Sequence, residues 1–366
     1  MQKFEDIKNE ILDEYMQPHS IPWVIGYSGG KDSTLLTHLV MDVLIDLAPS
    51  ERSRDVWVVG NDTLVESPLV VDHLRQSIEA IDLASRAYNL PVKTQLTVPE
   101  AEKSFWVNLI GRGYPPPNRS FRWCTDRLKI RPTAGFVEKK ISEIGRVILL
   151  IGVRRAESSN RARTIKKYDA EGRLSKHSDI QECLIFKPIV DLETDDVWEF
   201  LGSHKPLWNE NHDKLIKLYR DSAGGECPVV MSRDDAPSCG TTSSRFGCWT
   251  CTVVKKDKSL DGFIEAGYAN FQHLSSFRDW LLEIRDIPKN RMHRRRNGNV
   301  QFTKDGLLIR GPFTLSARKM ILEKLLDTQL LYGETLITSE EIDIIYRVWT
   351  EDLELETQIL TEMKSA

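Results

Sequence analysis

The apolar run Trp23-Val24-Ile25-Gly26-Tyr27 meets the turn Ser28-Gly29-Gly30-Lys31-Asp32-Ser33, and a helix-period pattern follows at once: Leu35, Leu36, Leu39, Val40, Val43, Leu44 and Leu47, closed by Pro49. A strand that passes through two glycines into a helix commits a chain to α/β layers. The same geometry points successive backbone N–H groups at one spot, where the helix dipole adds positive potential, so the turn is a ready anion site. Gly29 and Gly30 permit close backbone approach, Ser28 and Ser33 offer hydroxyls, and Lys31 supplies a compact positive charge expected to be exposed at a ligand edge. A Walker-type loop does not fit, because Ile25 stands five residues before Gly30 and Asp32 fills the Ser/Thr slot.

The alternation continues beyond this unit. Val56-Trp57-Val58-Val59 stops at Gly60-Asn61-Asp62, a helix is expected over about 67–89, and Val92 to Leu96 reads as a third strand. Helix 127–144 and strand Val147 to Gly152 extend the series, which predicts a doubly wound parallel sheet with helices on its faces. Residues 4–16 have helical spacing, and 111–123, with three consecutive prolines, reads as a loop. The polar stretch 156–182 reads as a mobile excursion, followed by a short strand near 186 and a helix led by Thr194-Asp195-Asp196. From about 258 the tail is mostly helical, with helices expected at 275–285, 315–331 and 339–352. A hairpin is expected from Val300 to Thr303 and Leu307 to Arg310, and Thr338 with Glu341 form a capping-box pattern. The organisation expected is a nucleotide-binding domain over 1–222, an irregular cysteine-rich lobe over 223–258 and a mostly helical region over 259–366.

Charge limits the partners. Lys and Arg number 50 against 54 Asp and Glu in 366 residues, a formal net charge of −4, which excludes a protein held to nucleic acid by bulk charge. The longest clean apolar run, Val147 to Ile151, is too short for a membrane span, and the acidic amino terminus lacks the apolar core of a signal peptide, so a cytoplasmic protein with no membrane partner is expected. Six cysteines are too sparse for a disulfide scaffold. Four of them cluster in the Gly- and Ser-rich segment 224–251.

Cys239, Cys248 and Cys251 have the spacing C-x8-C-x2-C, which brings three sulfurs within reach of one metal centre and calls for a fourth ligand, for which Cys124 is the best candidate. Zinc sites usually join two C-x2-C knuckles and this chain has one, whereas an iron–sulfur cluster tolerates a remote ligand. A [4Fe-4S] cluster is therefore favoured over structural zinc or catalytic thiols. Cys183 reads as a small buried hydrophobe; Cys227, in Gly-Gly-Glu-Cys-Pro, reads equally as a sulfur relay or a turn residue.

Asp62 and Thr63 follow a strand's carboxyl end, where such sheets bind ligands, so Asp62 reads as an adenosine or magnesium contact or else as a helix cap. Arg154, Arg155 and Arg161 follow the strand that ends at Gly152 and could grip phosphate through paired N–H donors, against the alternative of solvated surface charge. The run from Lys289 through Arg294, Arg295 and Arg296 could track a DNA backbone or be a solvated face. His19, His38, His204 and His212 form no ligand spacing.

Ser28 to Ser33 resembles the SGGKDS signature of the PP-loop ATP pyrophosphatases, the adenine nucleotide alpha-hydrolase fold that includes phosphoadenylylsulfate reductases and tRNA thiolases. With Trp123-Cys124-Thr125, Gly152-Val153-Arg154-Arg155-Ala156-Glu157-Ser158, Gly224-Gly225-Glu226-Cys227-Pro228 and Arg245-Phe246-Gly247-Cys248-Trp249-Thr250-Cys251, the chain looks like the DndC and SspD type of sulfurtransferase of DNA phosphorothioation. The resemblance runs from about 20 to 260. It implies cleavage of ATP between its α and β phosphates with magnesium, and Ser28, Gly29, Gly30, Lys31, Asp32, Ser33, Asp62, Arg154 and Arg161 as nucleotide contacts. It also implies Lys31, Asp32 and Arg155 as catalytic groups and Cys124, Cys239, Cys248 and Cys251 as cluster ligands. Adenylation of a DNA phosphate before sulfur insertion, a cysteine desulfurase as donor and other phosphorothioation proteins as partners follow from the same likeness. The rival reductase carries a carboxyl-terminal Glu-Cys-Gly nucleophile, and no cysteine follows Cys251 here. A tRNA thiolase, or a non-catalytic iron–sulfur or zinc module that binds DNA, are the remaining alternatives.

Overall fold

A computed structural model describes residues 2–168, 173–222 and 246–365. Helix α1 (Gln2–Tyr15) precedes β1 (Trp23–Tyr27), α2 (Lys31–Asp46), β2 (Val56–Asn61), α3 (Pro68–Ala87), β3 (Val92–Thr97), α4 (Arg131–Ile144) and β4 (Val147–Leu150). Then come α5 (Ser159–Tyr168), β5 (Leu174–Lys176), β6 (Cys183–Phe186), α6 (Thr194–Ser203) and α7 (Asp213–Asp221). The six strands form one sheet in the order β3-β2-β1-β4-β6-β5, parallel except for β5. This is the doubly wound class expected. The chain leaves β1 toward β2 on one side and later returns to β4 on the other, so the carboxyl ends of β1 and β4 flank a topological switch point, where such sheets bind ligands.

The central strands are apolar on both faces because helices cover both. Period-2 alternation divides them: Trp23, Ile25, Val58, Ile148 and Leu150 join one core, while Val24, Val59, Val147 and Leu149 join a second with Val137 of α4, Ile165 of α5 and Cys183. Burial there pushes the Cys183 thiol up to about 12, as befits a small hydrophobe.

The segment expected to be a mobile excursion instead holds α5 and β5. Few apolar residues suffice there: Ile165 and Ile180 anchor it to the second core, and β5 is an edge strand that needs only one partner. Helix α4 starts later than expected, because residues 125–130 form a π-helical turn and Pro132 lies in the first helical turn.

The carboxyl-terminal region comprises α8 (Lys258–Glu265), α9 (Phe271–Ile284), the hairpin β7 (Gln301–Phe302) and β8 (Leu308–Ile309), α10 (Leu315–Tyr332) and α11 (Ser339–Ser365). The capping box exists: Thr338 N–H donates to Glu341 Oε2 at 2.9 Å, and Glu341 N–H to Thr338 Oγ1 at 3.2 Å. These helices join the first core through residues 105–111, where Trp106 Nε1 donates to the Leu336 carbonyl at 2.6 Å and Trp349 Nε1 to that of Ile110 at 2.9 Å. No helix among the described residues is long and apolar enough to cross a membrane.

One buried pair was not legible in the sequence. His38 Nδ1 of α2 and His212 Nε2, at the start of α7, lie 3.1 Å apart. Burial pushes His38 down to about 3 and His212 down to about 4. Both rings are therefore neutral in the folded protein, whereas the unfolded chain protonates them below about pH 6.5, so this stability is present above that pH and lost as pH falls. Each ring should cost about 1 kcal/mol at pH 5.5. The urea midpoint should fall between pH 7.5 and 5.5, and His38→Gln should shrink the fall; an equal fall in wild type and variant would contradict the assignment.

Candidate functional site

The turn after β1 is held by its own side chains. Gly29 has φ +72°, a left-handed backbone that favours glycine. Ser28 N–H donates to Ser33 Oγ at 3.2 Å, Gly30 N–H to Ser28 Oγ at 3.3 Å, and Ser33 Oγ to the Gly30 carbonyl at 3.0 Å. The two serines are thus the internal staples of the loop. Lys31 N–H, the first amide of α2, donates to the Tyr219 hydroxyl at 3.1 Å, which ties the loop to α7.

Lys31 is not at an exposed edge: its side chain is 3% exposed, and Nζ donates to Asp32 Oδ2 at 2.7 Å. A buried ammonium requires a carboxylate partner, and its chain neighbour provides one. The other oxygen of Asp32 accepts from Arg154 Nε. Arg154, 1% exposed, also donates to the Leu192 carbonyl at 3.1 Å and to Thr194 Oγ1 at 3.3 Å. It is not solvated surface charge but a strut from the β4 edge to the loop and to the start of α6. Gly152 makes this approach possible, because a Cβ there would stand 2.9 Å from the Asp32 carbonyl carbon and oxygen.

The other arginines form the rim. Arg161 Nε donates to Glu157 Oε2 at 3.0 Å, and Glu157 Oε1 accepts the Arg154 N–H at 3.1 Å, so Arg161 supports the strut from behind. Arg155 is half exposed and ion-paired with Asp191. Asp62 is wholly buried: Oδ1 accepts the Leu64 N–H at 2.7 Å, where φ is +64°, and Oδ2 accepts from Arg75 at 2.7 Å. It braces a turn rather than capping a helix. Asp62 is held by Arg75, and Asp32 by Lys31 and Arg154.

The cysteine knuckle lies against the same sheet edge. Cys251 N–H donates to the Cys248 carbonyl at 2.9 Å, Trp249 N–H to that of Val65 at 3.0 Å, and Cys248 bridges Glu66 in antiparallel fashion. Cys248 Sγ is 3.6 Å from Thr63 Oγ1, directly after β2. Arg278 seals the far side by donating to the carbonyls of Cys251 at 2.9 Å and Lys255 at 2.7 Å. Thr252 Oγ1 donates to the Pro117 carbonyl at 2.6 Å, and Trp123 Nε1 to that of Pro115 at 3.0 Å, so the proline loop that ends in Cys124 is fastened to the knuckle. Cys227 and Cys239 lie outside the described residues. Cysteine thiolates are soft donors of the kind an iron–sulfur centre takes, but among the described residues no three Cys, His, Asp or Glu, Cys124, Cys248 and Cys251 included, are grouped to hold a metal ion.

Sequence reasoning missed Tyr219 and the role of Gly152. Tyr219 lies on a helix too short to announce itself, and it packs edge-on to Trp198 at 4.9 Å and Phe246 at 4.8 Å between ring centroids. Phe246 comes two residues before Cys248, so one side chain touches both the loop and the knuckle segment.

The glycine loop thus stands at a switch point with a buried lysine, and the cysteine knuckle lies against the turn after the neighbouring strand β2. The model for the phosphoadenosine phosphosulfate reductase domain matches residues 22–254, and the chain belongs to that family. Two uncharacterized proteins of Methanocaldococcus jannaschii are 28% identical over 65% of this chain and 24% identical over 53%. The matches cover 50% and 34% of those relatives, so the chain spans half or less of their length. Among solved structures, phosphoadenylyl-sulfate reductase from Candida auris in a phosphate complex is similar at TM-score 0.35, 13% identity, 58% of this chain and 84% of that one. The U34-tRNA thiolase NcsA from Methanococcus maripaludis with its [4Fe-4S] cluster is similar at TM-score 0.36, 13% identity, 77% and 80%.

If the Asp32–Arg154 strut sets the loop, crowding it should weaken nucleotide binding without unfolding the sheet. Gly152→Ala should raise the ATP dissociation constant about tenfold or more, roughly 1.4 kcal/mol, by titration calorimetry, with circular dichroism unchanged. Wild-type affinity in that variant would contradict the packing argument.

Proposed function

We propose that this protein splits ATP between its α and β phosphates and uses the adenylate to activate a DNA backbone phosphate for replacement of one oxygen by sulfur. The observation that carries the reading is the adjacency of Cys248 Sγ to Thr63 at the sheet edge that also presents the glycine loop. A sulfur centre beside an anion loop is what joining nucleotide chemistry to sulfur transfer requires.

The chain's own residues divide the work. The amide of Gly29 and the positive end of α2 receive the pyrophosphate, while Lys31 stabilises the charge that develops on it as the α–β bond breaks. Asp32 and Arg154 position Lys31 and are not themselves consumed. A non-bridging phosphodiester oxygen is a poor leaving group; once it has attacked the α phosphorus and released pyrophosphate, it departs as part of AMP when a sulfur nucleophile attacks. Cys124, Cys239, Cys248 and Cys251 would hold a [4Fe-4S] cluster, which supplies a centre able to pass sulfur or an electron. A cysteine desulfurase supplies the sulfur as a persulfide whose outer sulfur displaces AMP from phosphorus; a second thiol then reduces the remaining sulfur–sulfur bond, forming a disulfide with the carrier cysteine and leaving sulfur on the DNA, which companion phosphorothioation proteins present.

In cells carrying those companions, wild-type protein should yield nuclease-resistant, sulfur-bearing dinucleotides by mass spectrometry, and Lys31→Ala should yield none. DNA that stays sulfur-free with the wild type, while tRNA gains thiolated bases or sulfite forms from phosphoadenylylsulfate, would overturn the DNA reading and leave the nucleotide reading standing. Protein purified without oxygen should be brown and hold about four iron atoms per chain. Ser at Cys124, Cys239, Cys248 or Cys251 should bleach it, whereas bleaching by Cys183→Ser and not by Cys124→Ser would reject Cys124 as a ligand.

A further inference from the structure

From Lys289 to Arg310 the chain carries seven Lys or Arg and a single acid, Asp305, within a protein of net charge −4. The structure sorts these cations. Arg291 is internal: it donates to the carbonyls of Gly311 at 2.7 Å and Arg285 at 2.9 Å and lies over the Phe313 ring at 5.6 Å, which ties together the two legs of the β7–β8 hairpin. Arg296 is occupied by Asp352 at 3.1 Å and by the Arg112 carbonyl at 3.1 Å. Lys289, Arg294 and Lys304 are exposed, as is His293.

The hairpin also shows apolar side chains to solvent. Val300 is 47% exposed, Phe302 61% and Leu307 68%. Its turn is well formed, with Thr303 N–H donating to the Leu307 carbonyl at 2.8 Å, Leu307 N–H to Thr303 Oγ1 at 3.1 Å, and Gly306 at φ +77°. An ordered ribbon with an aromatic tip and a ring of cations is built for a polyanion that also has apolar faces. Its root is fixed to the site: Phe313 N–H donates to the Gly113 carbonyl at 2.6 Å, at the start of the proline loop that ends in Cys124. Arg285 reaches the Pro117 carbonyl at 3.3 Å and that of Thr252 at 3.0 Å, just past the knuckle.

We propose that the β7–β8 hairpin is a grip for duplex DNA, with Lys289, Arg294 and Lys304 on backbone phosphates and Phe302 and Leu307 against base edges or sugars. The proposal rests on DNA as the substrate and adds where the duplex is held. A two-stranded ribbon enters the major groove of B-form DNA, about 12 Å wide, but not the narrow major groove of A-form RNA. Seven cations against one acid, in a chain of net charge −4, make this element locally complementary to a polyanion. A duplex seated on the hairpin is led along the proline loop toward Cys124 and the knuckle.

The test is fluorescence anisotropy of a labelled DNA duplex with full-length protein across a salt series. Lys289→Gln/Arg294→Gln/Lys304→Gln should weaken binding at low salt and make the log K against log salt slope shallower by about 3, one for each phosphate no longer neutralised. Phe302→Ala/Leu307→Ser should weaken binding about tenfold with the slope unchanged, since it removes no charge. Both variants should keep wild-type ATP turnover. A triple variant with wild-type affinity and slope, an apolar variant that binds as wild type, a wild type that binds no duplex at low salt, or one that binds duplex RNA as well as DNA would each overturn the proposal. If the hairpin variants lose duplex while wild-type cells hold no DNA sulfur, the grip stands and the sulfur reading falls; if they bind as wild type and still yield sulfur in DNA, the reverse holds.

Discussion

The carboxylate of Asp32 holds the site together. One oxygen receives the ammonium of Lys31 and the other the guanidinium of Arg154, which holds a buried lysine at the glycine loop. Removing one member of such a buried set is costly, because the charge left behind has no water to replace its partner. Arg154 extends the grip to Leu192 and Thr194, so the edges of β1 and β4 and the start of α6 share one polar network. Gly152 is the steric condition for it.

Around that network, the fold makes the glycine loop and the cysteine knuckle neighbours. The loop lies at the end of β1, and Cys248 lies against the turn after β2, which Asp62 braces through Leu64 and Arg75. Tyr219 spans the two, with its hydroxyl on the first amide of α2 and its ring on Phe246. Movement of α7 would therefore be felt at both places. The carboxyl-terminal helices share the apolar core that supports the proline loop, which lets a remote hairpin be rooted at Gly113, where that loop starts.

The parts of this architecture carried by local patterns were legible in the sequence. The strand, glycine turn and helix at 23–47, the strands near 56, 92 and 147, the hairpin at 300–310 and the capping box at Thr338 each follow from neighbours within a few residues. The Cys248–Cys251 knuckle likewise follows from its spacing. What was not legible depends on contacts far apart in the chain. Lys31 reads as an exposed ligand-edge cation until Arg154, more than a hundred residues on, closes the set around Asp32. Arg291 and Arg296 read as members of one charge run until backbone carbonyls and Asp352 claim them. Within 156–182, which reads as too polar for regular structure, α5 and β5 nevertheless form, supported by ion pairs such as Arg161 to Glu157 and the edge pairing of β5 with β6.

The most direct test of the glycine loop as a pyrophosphate site is the position at which ATP is cut. Turnover of ATP labelled separately at the α and γ phosphates, resolved by thin-layer chromatography, should place the α label in AMP and the γ label in pyrophosphate, with both signals lost in the Lys31→Ala variant. Recovery of the α label in ADP and the γ label in free phosphate would contradict the assignment of this loop.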